Sequence, residues 1–135
     1  MVSRHPPLGV GAAVYLTEYA QNPRLVRAMD MLAPYKPDAI LYVGDILDDH
    51  VLVDVEAMAA ALARIQPRLG HWAVPGNHEY ISGPIDDSLD ILRRSGMRVL
   101  RDQWHVLDNA LVLAGRDDLS GHMFSGSSRK SLKRS

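Results

Sequence analysis

The chain has 135 residues and no cysteine, so disulfides and thiolate metal sites are excluded. That absence fits a reducing compartment without requiring one. An excess of either charge is also missing: 15 Lys and Arg stand against 16 Asp and Glu, a formal net charge of -1. A chain so balanced is not, as a whole, an electrostatic binder of nucleic acid or membrane surfaces. No apolar run approaches the length of a membrane span. No apolar core segment follows Arg4, so no signal peptide is expected. There is no internal repeat. What is present is ordinary for a soluble globular protein, with 47% apolar and 23% charged residues. The length allows one domain with a genuine core and not two.

Residues 1 to 21 carry Pro6-Pro7, Gly9 and Gly11 and read as irregular. Asn22-Pro23 starts a helix, since Asn caps and Pro suits the first turn. Leu25, Val26, Met29 and Leu32 then share a face, and Pro34 and Pro37 end the helix. Ala39 to Val43 is apolar on both faces, as a central parallel strand should be. A second helix is expected over Val55 to Ile65 and a strand over Trp72 to Val74. A third helix opens at Pro84 and the Asp86-Asp87 pair and closes before Gly96. Arg98 to Leu100 reads as a short strand. Trp104 to Leu107 and Ala110 to Ala114, joined by Asp108-Asn109, read as a hairpin. The order predicts a layered α/β fold: a mixed sheet, parallel strands first and a hairpin after, with helices on at least one face.

Two of these strands end alike. The first runs into Gly44-Asp45-Ile46-Leu47-Asp48-Asp49, and the second into Pro75-Gly76-Asn77-His78-Glu79. Each delivers oxygen donors, and the second a histidine, at the carboxyl end of a buried strand. That is where open α/β sheets place their sites, and the donors are of the kinds that hold divalent ions.

These two stretches resemble the second and third motifs of the calcineurin-like metallophosphoesterases, GDxxD and GNH(D/E). The order of the motifs, their place after apolar strands and the single helix between them fit as well. Lys36-Pro37-Asp38-Ala39-Ile40-Leu41 and Gly115-Arg116-Asp117-Asp118 look like a bacterial branch of that family, and the similarity runs from about Leu8 to near the C-terminus. The resemblance implies hydrolysis of phosphomonoesters or phosphodiesters at two divalent ions, manganese, iron or zinc. Asp45 would bridge the metals, Asn77 would ligate one of them, and His78 would donate to a phosphoryl or leaving-group oxygen. Asp48 and Glu79 would orient those ligands from behind. It implies a phosphate-ester substrate, and relatives in this branch are often membrane-associated. A chain soluble as written would be cytoplasmic.

The chain also departs from the family pattern. The first motif, D-x-H, is absent; His5, between Arg4 and Pro6, is the one metal-capable side chain where it should stand. The last motif, G-H-x-H, is absent too, because Gly121-His122-Met123-Phe124 has Phe124 in place of its second histidine. Gly121-His122 therefore reads as loop, and His50, His71 and His105 match no family ligand. The expectation is a truncated member whose metals bind weakly and whose activity is impaired. The alternative is a non-catalytic remnant, or a module completed by a partner chain. Residues 22–118 form the partial domain, between the irregular segment 1–21 and a basic, Gly/Ser-rich tail, 119–135, that reads as frayed. An exposed sheet edge is expected to favour self-association.

Overall fold

The computed structural model of the chain describes residues 12–14, 22–47, 53–126 and 128–135. In chain order its elements are β1 (Ala12–Val14), α1 (Asn22–Leu32), a 3-10 turn (Ala33–Tyr35), β2 (Ile40–Val43), α2 (Val55–Leu62) and β3 (His71–Val74). There follow α3 (Asn77–Ile81), α4 (Ile85–Arg94), β4 (Arg98–Val99), β5 (Gln103–Leu107), β6 (Leu111–Gly115), α5 (Ser120–Ser125) and β7 (Lys133–Arg134). Four strands form a wholly parallel sheet in the order β1-β2-β3-β4. The layered α/β fold with parallel strands before a hairpin is as expected. The hairpin β5-β6, however, builds a second sheet, ordered β6-β5-β7, instead of extending the first.

Side-chain alternation assigns the two faces of the parallel sheet. On β2, Ile40 and Tyr42 enter a core with Leu25 and Met29 of α1, Met58 and Leu62 of α2, and Leu89 and Leu92 of α4. On the opposite face Leu41 and Val74 pack with Trp72, Leu100, Leu107 and Leu113, so the second sheet covers that side. Met29 and Leu92 are wholly buried, each contributing on the order of 2 kcal/mol of transfer free energy.

Local chemistry sets the helix ends. Asp54 caps α2 by accepting from the Ala57 N–H at 2.9 Å. Asp86 and Asp87 lie in the first turn of α4, and Arg93 and Arg94 in its last, each charge favourable at its end of the helix dipole.

Four elements differ from the sequence reading. Ala12–Val14 is a strand inside the segment read as irregular; it pairs with β2 from Ala12↔Ile40 to Val14↔Tyr42. Asn77–Ile81 is a short helix where the sequence reading placed no element. Gly121-His122 lies in helix α5. The C-terminal segment is not frayed among its described residues: Lys133–Arg134 pairs with β5, and the Lys130 N–H donates to the buried Asp102 carboxylate at 2.6 Å. A strand edge and a buried acceptor recruit a segment that has almost no apolar side chains of its own.

Candidate active site

Strands β2 and β3 lie side by side in register, with Val43 opposite Val74, and end together. The two loops leaving them approach through glycines. Gly44 has φ +76, and a Cβ built on it would lie 2.9 Å from the Gly76 Cα. A Cβ on Gly76 would lie 2.5 Å from the Asp45 nitrogen. Side chains at either position would push the loops apart.

Glu79 joins the loops. It is completely buried, and Oε1 accepts from the N–H groups of Ile46 at 2.6 Å and Leu47 at 2.8 Å. Its other oxygen, Oε2, accepts from Asp45 N–H at 3.0 Å and from Gly76 N–H at 2.7 Å. Gly76 is the N-cap of α3 and Glu79 lies three residues on, so the Gly76 bond is the reciprocal half of a capping box. One carboxylate thus satisfies four main-chain donors that the turn after β2 and the start of α3 would otherwise leave orphaned.

The same clamp sets Asp45 against α3. Asp45 has φ +51, an uncommon conformation for a residue with a side chain. Its Oδ1 accepts from the His78 N–H at 3.1 Å. The Asn77 amide lies 3.0 Å from Asp45 Oδ1 and 3.2 Å from Oδ2 and donates to both when its NH2 is turned there. With the amide oxygen turned inward, three acceptors would face one another, a crowding that a cation between them relieves. Asp45, Asn77 and His78 therefore come together as their positions after the two strands predict, His78 joining through its backbone. Asp48 lies outside the described residues, as do His5 and His50.

Asp45 and Asn77 line an open cleft of about 260 Å³ whose other residues include Arg116, Asp117, Asp118 and Arg129. The loop after β6 is fastened from beneath. Asp117 accepts from Tyr80 Oη at 2.6 Å and from Arg101 Nε at 2.7 Å, and Arg101 also donates to Tyr80 Oη at 2.9 Å. Burial, and then the Asp117 hydrogen bond, push the Tyr80 phenol up to about 12. Tyr80 belongs to α3, so this network ties the helix of Asn77 and His78 to the far wall of the cleft. The sequence marked Gly115-Arg116-Asp117-Asp118 as resembling the family but gave it no part in the site, and it left Arg129 in the tail. The charged run Arg116-Asp117-Asp118 right after a strand was the available signal.

The family model for calcineurin-like phosphoesterases matches residues 5–129. The chain belongs to that family. It is 44% identical over 86 residues to an "Uncharacterized metallophosphoesterase" of Aquifex aeolicus (strain VF5), covering 64% of this chain and 32% of that protein. To the Danio rerio "Transmembrane protein with metallophosphoesterase domain" it is 27% identical over 116 residues, covering 82% of this chain and 26% of the relative. A "Putative metallophosphoesterase F40B5.2" of Caenorhabditis elegans is 30% identical over 99 residues, 71% of this chain and 20% of that protein. The chain thus spans about a third or less of the length of these relatives. No solved structure matches it significantly. Among the described residues no helix is long and apolar enough to cross a membrane.

Metallophosphoesterases take divalent metals, and the donor chemistry here can be set against that need. Asp45 and Asn77, one carboxylate and one amide, line the cleft from adjacent strand ends. Among the described residues no group of three or more His, Asp or Glu side chains is placed to share an ion. The donors suit part of one hard cation's shell, with water completing it. They do not close a two-ion centre.

Proposed function

We propose that the chain is a metal-dependent phosphoesterase domain whose own residues hold the metals weakly, so that its turnover in isolation is slow. The observation that carries this reading is the Glu79 clamp, which sets Asp45 and the Asn77 amide 3.0 Å apart at the mouth of one cleft. Two of the family's metal-ligating residue types then share one edge of the sheet. In this reading Asp45 would hold metal through its carboxylate and Asn77 through its amide oxygen, and His78, whose N–H donates to Asp45, would donate from its imidazole to a phosphoryl or leaving-group oxygen. Glu79 sets the loop that carries Asp45, and Asp48 joins it in orienting the ligands. Divalent manganese, iron or zinc would supply Lewis acidity and an activated water when bound.

The missing D-x-H and G-H-x-H motifs support weak binding, since each absent histidine removes a nitrogen donor. Hydrolysis of a chromogenic aryl phosphate and of its diester, with manganese added, tests the proposal. Slow, metal-dependent release that Asp45→Ala removes is the expected result. Release that is unchanged in Asp45→Ala and Asn77→Ala would sink it. A second reading, a module completed by a partner chain, is favoured by the lack of a third donor among the described residues. Activity that appears only on adding a full-length relative would select that reading.

A further inference from the structure

We propose that Arg116 and Arg129 form a clamp for the phosphoryl group of the substrate, on the wall of the cleft formed by the loop after β6. The proposal rests on the phosphoesterase reading of that cleft and names who holds the anion there. Both arginines line the same cleft as Asp45 and Asn77. Each guanidinium is anchored to a main-chain carbonyl. Arg129 Nε donates to the Asp117 carbonyl at 2.6 Å, and an Arg116 terminal nitrogen donates to the Lys130 carbonyl at 3.0 Å. These anchors are neutral carbonyls. A guanidinium has five N–H donors in a fixed fork, so one anchor fixes its position without exhausting its donors.

Arg116 also lies 3.3 Å from Asp102 Oδ1, but that carboxylate accepts from the Lys130 and Asp117 N–H groups as well. The acidic neighbours in the cleft are engaged too. Asp117 serves Tyr80 and Arg101, and Asp118 accepts from the Ser120 N–H at 2.7 Å. The cleft therefore presents forked cationic donors on one wall and the Asp45–Asn77 pair on the other. Planar forks match the oxygens of a phosphate group better than point charges do. A purely structural role, stapling the C-terminal segment to the Asp117 and Lys130 carbonyls and to the Asp102 carboxylate, would leave phosphate affinity unchanged in folded variants.

The test uses Arg116→Gln and Arg129→Gln, which remove the charge; at 129 the Gln amide nitrogen stands where Arg129 Nε donates to the Asp117 carbonyl. Circular dichroism first establishes that each variant is folded, and Arg129→Lys serves as the charge-retaining control. Binding of inorganic phosphate and of phenylphosphonate is then titrated calorimetrically with chelator present. The wild-type chain should bind both. Each Gln variant should weaken binding about tenfold, and the double variant should abolish it, while Arg129→Lys keeps part of it. Asp45→Asn should tighten it, because a carboxylate that repels the anion is removed.

No binding by the wild-type chain, equal binding by the double Gln variant, or binding of inorganic phosphate without phenylphosphonate would each overturn the clamp. Manganese binding, followed by paramagnetic relaxation of water, separates this from the parent reading. Manganese bound by the wild-type chain and lost in Asp45→Ala, with phosphate indifferent to the arginines, defeats the clamp alone. Phosphate lost with the arginines in a chain that takes up no manganese defeats the hydrolytic reading alone.

Discussion

The Glu79 carboxylate accepts the backbone N–H of Asp45 at 3.0 Å across 34 positions of sequence. Because the same carboxylate also takes Ile46, Leu47 and Gly76, one group holds the loop that presents Asp45 to the helix that presents Asn77 and His78. All four partners are donors, so an acceptor-only group is required. Glu79→Gln turns an NH2 toward at least one of them and leaves a buried N–H unpaired. The expected loss is about 3 kcal/mol, read as a lowered urea midpoint with an unchanged slope. A variant as stable as the parent would show that the clamp is dispensable.

Gly76→Ala tests the close approach of the loops. Its Cβ would meet the Asp45 nitrogen at 2.5 Å and the Asp45 carboxylate as well. Neither neighbour is the flexible end of a long side chain, so the backbone must shift. Destabilisation of about 2 kcal/mol is expected from such overpacking, and manganese affinity should fall with it. Unchanged affinity in a destabilised variant would separate the loop contact from the site.

How much of this was legible in the sequence follows from what each residue needs. Strands β2 and β3 announce themselves as apolar runs stopped by Gly44 and by Pro75-Gly76, and local chemistry suffices to read them. Asp45, Asn77 and His78 follow from those stops. Helix α3 was not legible, because its first turn is held by Glu79 reaching across to the β2 loop. The strand Lys133–Arg134 was hidden for a similar reason. It forms on the open edge of β5, and its composition reads as solvated tail. Arg129 enters the cleft only through that docking. Sequence patterning reports what a segment buries for itself and is silent on what another segment offers it.

His71 predicts a pH dependence of stability. Its Nε2 faces the Ile65 carbonyl at 3.0 Å and its Nδ1 the Tyr42 hydroxyl at 3.0 Å, an arrangement that suits a neutral ring donating from Nε2 and accepting at Nδ1. Burial lowers its pKa below the usual histidine value, against the opposing pull of the Ile65 carbonyl. The unfolded chain, with an ordinary value of about 6.5, binds the proton first. Stability is therefore full above about pH 6.5 and declines as pH falls toward the folded value, where it levels. Denaturation midpoints from pH 7.5 to pH 5 should show this slope. His71→Gln should flatten it, and a slope of equal size in that variant would assign the effect elsewhere.

Self-association should proceed through β6, the outer strand of the second sheet. Its Leu111 and Val112 are 47% and 61% exposed, and an edge strand with apolar side chains invites pairing. Sedimentation should show mass rising with concentration, and Val112→Lys should reverse it. A chain that stays monomeric at every concentration would refute the assignment.

Asp102 makes the last prediction, because it holds the segment that carries Arg129. It is buried, and Oδ2 accepts the Lys130 N–H at 2.6 Å while Oδ1 accepts the Asp117 N–H at 3.2 Å. Burial alone would raise its pKa; the N–H groups of Lys130 and Asp117, with the charges of Arg116 and Arg129, bring it below the ordinary aspartate range. A lowered carboxylate pKa means that this stabilisation is present above about pH 4 and is lost as pH falls through the folded value. Asp102→Ala removes the acceptor and strands both main-chain donors. Amide exchange at Lys130, and at Lys133 and Ser135, whose N–H groups bond the Asp102 and Trp104 carbonyls, should then accelerate at neutral pH by an order of magnitude or more. Exchange within α1 and α2 should change less, since those helices pack on the opposite face of the parallel sheet. Equal acceleration throughout would mean that Asp102 supports the whole fold and not this segment. Confined acceleration, together with weakened binding of inorganic phosphate, would show that the cleft depends on a C-terminal strand whose docking begins at one buried carboxylate.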